Sequence, residues 1–446
     1  MKIERFYDEN LAHASYAILS ENEIALIDPA RNPKPYYDFA TKNNAEIKAV
    51  FETHPHADFV SSHLEIHQKT GAQIYVSELL GADYPHITFD DGDEISLGKI
   101  KLKALNTPGH SPDSISIVLY NDKDEEEVVF TGDTLFIGDV GRPDLRENVG
   151  NMKAKREALA KEMFHSIQNK FADLKDETIV YPAHGAGSLC GKNLSSDASS
   201  TMGKERKSNW AFQELNEGEF VSTILQDQPF IPKYFGFDVD TNKKGATAFE
   251  NSIDAVKKLN SVDQINSEEM IIDVRNEQDF KSGHLANSIN IMLTEKSKFE
   301  TWLGAIVSPR EKFYLVAASE DQLDQAIQRT AKIGYEQNIL GAWTVNIGLT
   351  ERTNHLDIEG FSNNKDGYSI VDIRNEGEVK NGKFFKNAIT IPLHELRENI
   401  YKIPTNKPIV VHCAAGYRSA AGSSILENEM KNVQVFDLGD AILKFK

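Results

Sequence analysis

The residues of this chain whose types and spacing could do chemistry begin with Thr53-His54-Pro55-His56-Ala57-Asp58-Phe59, directly after the apolar run Ala49-Val50-Phe51. Two imidazoles and a carboxylate are metal-ligand types, and they stand where a predicted strand opens into a loop. A strand turns successive side chains to opposite faces, so residues 54, 56 and 58 share one side while the chain stays extended. Read alone, the stretch is also compatible with a polar turn, so distant partners decide. His110 in Thr107-Pro108-Gly109-His110-Ser111, Asp133 in Phe130-Thr131-Gly132-Asp133-Thr134 and His184 in Tyr181-Pro182-Ala183-His184-Gly185 each come just past a predicted strand. Glycines at 109, 132 and 185 permit close backbone approach there. Four strand-to-loop junctions that all present His or Asp point to a metal site. His63 and His67, four apart on a predicted helix, lack a third ligand and are expected to be helix surface or ordinary packing.

A second chemistry lies near the other end of the chain. The apolar run 408–412 leads into Cys413-Ala414-Ala415-Gly416-Tyr417-Arg418 and then a predicted helix over 419–429. A Cys at such a junction sits in a ring of backbone N–H groups at the positive end of a helix dipole, which favours the thiolate. Arg418 adds a cation whose donors can order the loop or bind an oxyanion such as sulfite. The other cysteine, Cys190, falls in a Gly-rich segment six residues past His184 with Lys192 nearby. It reads either as a small buried thiol or as an accessible thiolate that handles sulfur.

The elements that must position these groups alternate. β-type runs are predicted at 15–19, 24–27, 50–51, 100–105, 114–120, 127–131 and 178–181, with helices at 36–43 and 210–225, the pattern of layered α/β architecture. The motif Gln228-Pro229-Phe230-Ile231-Pro232 breaks the pattern, so a first domain is expected over 1–230. Beyond it Ile271-Ile272-Asp273-Val274-Arg275-Asn276-Glu277 is echoed, 99 residues later, by Ile370-Val371-Asp372-Ile373-Arg374-Asn375-Glu376. Each copy continues as helix and strand, a parallel α/β unit, with expected bounds of 231–352 and 353–446. Where the second copy has Cys413, the first has Ala317-Ala318-Ser319-Glu320-Asp321-Gln322, without a thiol and with acidic side chains. The first copy is therefore expected to be catalytically silent, a spacer or docking domain.

At 446 residues the chain exceeds one ordinary core, and its net charge of −19 argues against nucleic acid or an acidic membrane surface as partner. The N-terminal stretch lacks a signal-like apolar core and no long apolar run occurs, so a cytoplasmic protein without membrane spans is expected. With only two cysteines, in different expected domains, a disulfide framework is not expected.

The ordered set HxHxD, PGHS, TGD and PAHG resembles the metallo-β-lactamase fold, an αββα sandwich with metal at one edge, over about residues 1–230. In the two-metal hydrolases of that superfamily another His follows the first motif, whereas Phe59 stands here. Together with Val140-Gly141-Arg142-Pro143-Asp144 the pattern is most similar to the persulfide dioxygenase branch. That resemblance implies one Fe(II) per chain on His54, His110 and Asp133, with His56, Asp58 and His184 orienting ligands or water, and Arg142 meeting a carboxylate-bearing thiol substrate. Both repeat copies resemble rhodanese domains, and the Cys413 loop resembles the active loop of single-Cys rhodaneses. The resemblance as a whole implies oxygenation of a low-molecular-weight thiol persulfide (glutathione, coenzyme A or bacillithiol type) by O2 to sulfite and thiol. Cys413, with Arg418 and with or without Cys190, would turn that sulfite into thiosulfate, and a homo-oligomer is expected. The same motifs would serve a zinc thioester hydrolase of glyoxalase II type, and the thiol loop a non-catalytic persulfide carrier or sensor.

Overall fold

The computed structural model describes residues 1–145, 156–266, 268–345 and 349–446. The chain divides into two compact units, Met1–Asn251 with Lys332–Gly334, and Ser252–Ala331 with Tyr335–Lys446. Among the described residues no helix is long and apolar enough to cross a membrane.

The first unit is built on two six-stranded sheets. One runs, edge to edge, Lys2–Asp8, His13–Ser20, Glu23–Ile27, Glu46–Phe51, Gln73–Val76 and Ile87–Thr88; the other runs Ser200–Thr201, Ile179–Pro182, Glu126–Gly132, Ile115–Tyr120, Ile100–Asn106 and Glu94–Leu97. Alternation along the strands explains the layering. In His13–Ser20 the even positions Ala14, Tyr16 and Ile18 face the second sheet's Leu102, Ala104, Ile117, Leu119 and Phe130, while Ala17 joins Tyr36, Phe39 and Ile66 of the covering helices. On the far side Val118, Val129 and Val180 meet Ala160, Met163, Phe220 and Ile224 from the helices Arg156–His165 and Glu217–Leu225. A strand buried on both faces loses the polar half of its alternation, which is why these runs read as continuously apolar.

Directions within the sheets gather the motif residues. Strands Ile100–Asn106, Glu126–Gly132 and Ile179–Pro182 share one direction, since the first two are each antiparallel to Ile115–Tyr120 and the last two pair in parallel. Their C-terminal ends therefore lie at one edge, and His110, Asp133 and His184 follow them. The helix expected over 210–225 forms as a short turn, Trp210–Phe212, and a separate helix, Glu217–Leu225. Asn216 starts that helix anew: its side chain accepts from Glu219 N while the Glu219 carboxylate accepts from Asn216 N.

The first unit also extends past the boundary expected at 230. Helix Phe235–Lys244 belongs to it and carries Asn242, which is buried and clamps the metal-motif loop. Asn242 Nδ2 donates to His56 O and Phe59 O, both at 2.8 Å, and Oδ1 accepts from Ser61 N at 2.8 Å.

In the second unit each repeat copy forms a four-stranded parallel sheet, ordered Ser288–Asn290, Met270–Asp273, Phe313–Ala317, Ile339–Thr344 in the first and Ile389–Thr390, Ser369–Asp372, Ile409–His412, Val435–Asp437 in the second. The repeated Asp-x-Arg landmark is a clasp. Arg275 is paired with Asp273 at 2.6 Å and donates to Gly283 O at 2.7 Å; Arg374 is paired with Asp372 at 2.7 Å and donates to Gly382 O at 3.0 Å. Each clasp ties the end of a strand to the end of the helix that follows. Glu427, on helix Tyr417–Glu429, accepts from Thr353 Oγ1 at 3.4 Å, and burial together with nearby Asp437 pushes its carboxyl up to about 7.

Two stability outcomes follow. Asn242→Ala leaves three backbone groups of residues 56–61 without their partner and is expected to lower the unfolding free energy by about 2–4 kcal/mol, read from denaturant melts. Glu427 binds its proton more tightly folded than unfolded, so its contribution is complete below the ordinary carboxyl range and is lost as pH rises through about 7. Glu427→Gln should therefore raise the melting temperature at pH 8, by an amount equivalent to at most about 3 kcal/mol, and change it little at pH 4.

Candidate metal centre and thiol loop

Gly132 brings the ligands together. It ends its strand at φ +51° and sits against Thr53 so closely that a Cβ there would collide with the Thr53 side chain. Asp133 is thereby delivered beside His54. Gly141 plays the same part from the other side, since a Cβ on it would run into Asp133 O and stand 2.9 Å from His110 Nδ1. The result is a buried cluster in which His54 Nε2 lies 3.7 Å and His110 Nε2 3.5 Å from Asp133 Oδ2.

Hydrogen bonds on the far side of each group fix the atom that faces the cluster. The Thr53 hydroxyl donates to Asp28 Oδ2 at 2.8 Å and so accepts from His54 Nδ1 at 3.1 Å, leaving Nε2 as the bare nitrogen. His110 Nδ1 donates to Arg142 O at 2.9 Å, with the same effect. Asp133 Oδ1 accepts from His184 Nδ1 at 2.7 Å. His54 Nε2 and Asp133 Oδ2 are buried and have no hydrogen-bond partner. Burial, and for His54 the neighbouring His56, holds the His54 and His110 imidazoles below their usual range. Burial would raise Asp133, but His184, His54 and His110 outweigh it and hold the carboxyl well below the usual range. Neutral imidazoles and an ionised carboxylate are the protonation states a cation requires. Two imidazoles and a carboxylate spaced this way would suit a first-row divalent metal, so the residues present fit such an ion.

His184 bridges two carboxylates: its Nε2 lies 2.8 Å from Asp58 Oδ2, although the N–H is not aimed along that line. Burial opposes its charge, but Asp133 and Asp58 prevail and raise it well above the imidazole range. His56 Nε2 stands 3.3 Å from Asp28 Oδ1, within a further group of Asp28, Glu52 and His56. Phe59 is buried, its ring centroid 4.4 Å from that of His56 and 3.9 Å from that of His13. An apolar ring thus lies directly against the His56 and His13 imidazoles. His13, which the sequence did not single out, enters from the first sheet with its Nε2 buried and unpaired. No local signal marks it, because its motif is an ordinary strand. His63 is likewise fully buried, packed on the Tyr84 ring at 4.5 Å with Nδ1 3.5 Å from Glu52 Oε1, whereas His67 caps its own helix turn through Ala72 O.

Arg142 and Cys190 are both enclosed. Arg142 is not presented to solvent: it is buried, both carboxylate oxygens of Asp144 accept from it at 2.7 Å, and Leu189 O accepts at 3.2 Å. A buried guanidinium needs such partners, and they occupy the face a substrate carboxylate would use. Cys190 is 1 % exposed, so its glycine neighbours do not make it accessible. It lies within 4.8 Å of ligand-type atoms of Asp58 and His184, and burial, with Asp58 and Asp133 adding, pushes its thiol well up. Cys190 is therefore held as the neutral thiol at the wall of the centre.

The second chemistry sits in the other unit. Cys413 follows strand Ile409–His412, and Gly416 N–H, at φ +102°, donates to Sγ at 3.1 Å just before helix Tyr417–Glu429 begins. A Cβ on Gly416 would stand 3.0 Å from Asp440 N, so the loop requires glycine there. Arg418 is not a free cation: Glu378 accepts from its two terminal nitrogens at 2.6 and 2.7 Å. It orders the loop instead of offering an open anion site.

Comparison with known proteins agrees with this geometry. Residues 9–184 match the model of the metallo-beta-lactamase superfamily, and residues 254–343 and 358–440 match the rhodanese-like domain. The mitochondrial persulfide dioxygenase ETHE1 of Bos taurus is 34% identical over 225 residues, 50% of this chain and 79% of that protein. Its Homo sapiens counterpart is 31% identical over 164 residues, 36% of this chain and 59% of that protein. The cytoplasmic hydroxyacylglutathione hydrolase of Arabidopsis thaliana is 30% identical over 235 residues, 51% and 81%. A solved structure described as a metallo-beta-lactamase from Staphylococcus aureus superposes with a TM-score of 0.68 at 33% identity, covering 77% of this chain and 99% of that one. Half of the chain thus has the enzyme relatives, and the other half is accounted for by the repeat. The chain belongs to the metallo-β-lactamase superfamily and is a fusion of a domain homologous to persulfide dioxygenases with two rhodanese-like domains.

Proposed function

We propose that this protein oxygenates the terminal sulfur of a low-molecular-weight thiol persulfide in an Fe(II)-dependent reaction and converts the resulting sulfite to thiosulfate through Cys413. The observation that carries this reading is the group His54, His110 and Asp133, three donors around one point with His54 Nε2 and Asp133 Oδ2 left unpaired. Two imidazoles and one carboxylate leave coordination positions open, and Fe(II) held there supplies oxygen activation, which redox-inert zinc does not. The terminal sulfur is oxidised and O2 reduced; water provides the remaining oxygen of sulfite, and the thiol leaves with a proton. His184 steadies Asp133 from behind, while His56, Asp58 and the apolar wall of Phe59 shape the space beside the ligands.

Sulfur transfer is assigned to the second unit. Cys413 Sγ takes the outer sulfur of another persulfide molecule, and the thiol departs. A sulfite lone pair then attacks that outer sulfur, the bond to Sγ breaks with its electron pair remaining on Sγ, and thiosulfate leaves. Gly416 N–H is placed to donate to the charge that returns to Sγ. Glutathione, coenzyme A and bacillithiol persulfides are the substrate class; a cytoplasmic setting and a homo-oligomeric state complete the reading.

The likeness to a hydroxyacylglutathione hydrolase supports a second reading, a zinc thioester hydrolase, which Phe59 in place of a third imidazole disfavours. Oxygen uptake and product analysis with glutathione persulfide, together with metal content of anaerobically purified protein, separate the two. Cys413→Ser is expected to consume oxygen at the parent rate while sulfite accumulates and thiosulfate formation stops; thiosulfate at the parent rate would refute the relay. His110→Ala is expected to lose iron and lower oxygen uptake by a factor of about 100 or more. Two zinc ions per chain with thioester cleavage and no oxygen uptake would instead establish the hydrolase.

A further inference from the structure

The Cys-less rhodanese-like copy holds the two residues that follow Gly416 in the thiol loop. Tyr417 OH donates to Met292 O of that copy at 3.1 Å. Arg418, fixed by Glu378, stands 5.8 Å from the ring centroid of Trp302, on the first copy's helix Phe299–Ile306. The helix that carries both residues lies along the first copy's edge strand, where Ser424 Oγ accepts from Asn290 N at 3.1 Å and Asn428 Nδ2 donates to Ser288 O at 2.9 Å.

The segment that receives Tyr417 is braced from within the first copy. Gln322 Nε2 donates to Leu293 O at 3.4 Å and to Val274 O at 3.2 Å, and its Oε1 accepts from Ala318 N at 2.9 Å. Gln322 closes the loop that corresponds to the thiol loop of the second copy. Arg329 donates to Thr294 O at 2.8 Å and to Ser297 O at 2.7 Å, and is itself paired with buried Glu300 at 2.5 Å. Residues 292–297 are thus held near their start, at Leu293, by the vacated loop and further along, at Thr294 and Ser297, by one guanidinium.

We propose that the Cys-less copy is the positioning half of the sulfur-transfer site: Met292 O and Trp302 set Tyr417 and Arg418, and through them the loop that presents Cys413, with Gln322 and Arg329 as struts behind. The proposal rests on the reading of Cys413 as the sulfur carrier. A thiol that must be attacked in line by a small anion tolerates little displacement, and an error of about 1 Å is enough to cost a factor of up to about 100 in rate. Tyr417 and Trp302 are positioning residues in this account.

The test uses the full chain with thiosulfate as sulfur donor and cyanide as acceptor, which yields thiocyanate and sulfite. Trp302→Ala is expected to lower kcat/KM about tenfold and Trp302→Phe to restore it to within about twofold of the parent. Tyr417→Phe, which removes only the hydroxyl, is expected to lower kcat about threefold. The rate of Cys413 alkylation by iodoacetamide, followed against pH by peptide mass spectrometry, should shift along the pH axis in Trp302→Ala, while oxygen uptake with glutathione persulfide stays at the parent rate. Tyr417→Phe with the parent's kcat, KM and alkylation curve overturns the proposal, and it does so even where Trp302→Ala fails to fold. Cys413→Ser is the control for the reading beneath: its loss of transfer is expected, and transfer that survived in it would remove the carrier role itself.

Discussion

The two oxygens of Asp133 do different work, and the first unit is arranged around that division. Oδ1 is committed to His184, while Oδ2 faces His54 and His110 without a hydrogen bond in a fully buried setting. An unpaired buried polar atom costs on the order of 1–3 kcal/mol, more when charged, and here several such atoms converge on one point. An interior tolerates that only where something else completes it, and a cation would do so. The local backbone agrees, because Gly132 and Gly141 remove the Cβ atoms that would keep Asp133 away from Thr53 and His110.

Cations in both units are tied off by carboxylates. Arg142 is paired with Asp144, Arg275 with Asp273, Arg374 with Asp372, Arg329 with Glu300 and Arg418 with Glu378. Breaking a buried pair such as Arg275–Asp273, Arg374–Asp372 or Arg329–Glu300 leaves a charge stranded at about 3–5 kcal/mol, so these three arginines are held in place by architecture. Arg142 shows what such a fixed cation achieves. Its carbonyl orients His110, its amide N–H donates to Cys190 O at 2.9 Å, and its guanidinium reaches Leu189 O. The His110 imidazole and the backbone of Cys190 are therefore mounted on one residue.

Much of this was legible in the sequence, for a physical reason. The candidate ligands and His184 behind them lie at strand ends, where local patterning announces the strand and a short motif announces the turn, so His54, His110, Asp133 and His184 could be picked out one at a time. The layered α/β architecture followed from alternating strand and helix runs, the parallel repeats from the recurrence 99 residues apart, and the two-sheet sandwich from the family resemblance. What escaped was whatever depends on a partner far along the chain. Asn242 clamps a loop more than 180 residues before it, and nothing in Phe235–Lys244 marks that role. His13 stands on an unremarkable strand, and Glu378 is one acidic residue among 68 acidic ones. Burial of Arg142 and Cys190 was left undecided because Gly and Pro neighbours signal a turn without saying what covers it.

The repeat shows the same distinction between fold and chemistry. Both copies retain the Asp–Arg clasp with its bond to a glycine carbonyl, Gly283 in one and Gly382 in the other, so the part of the motif that holds strand to helix is duplicated. The part that surrounds the thiol is not. A copy that had simply lost its chemistry would leave a loop with unsatisfied backbone groups at the head of its central strand. Here Gln322 fills that loop, accepting from Ala318 N and donating to carbonyls on two neighbouring segments. Where the second copy keeps Cys413, the first has built a hydrogen-bonded joint, and a joint at that place serves what packs against it.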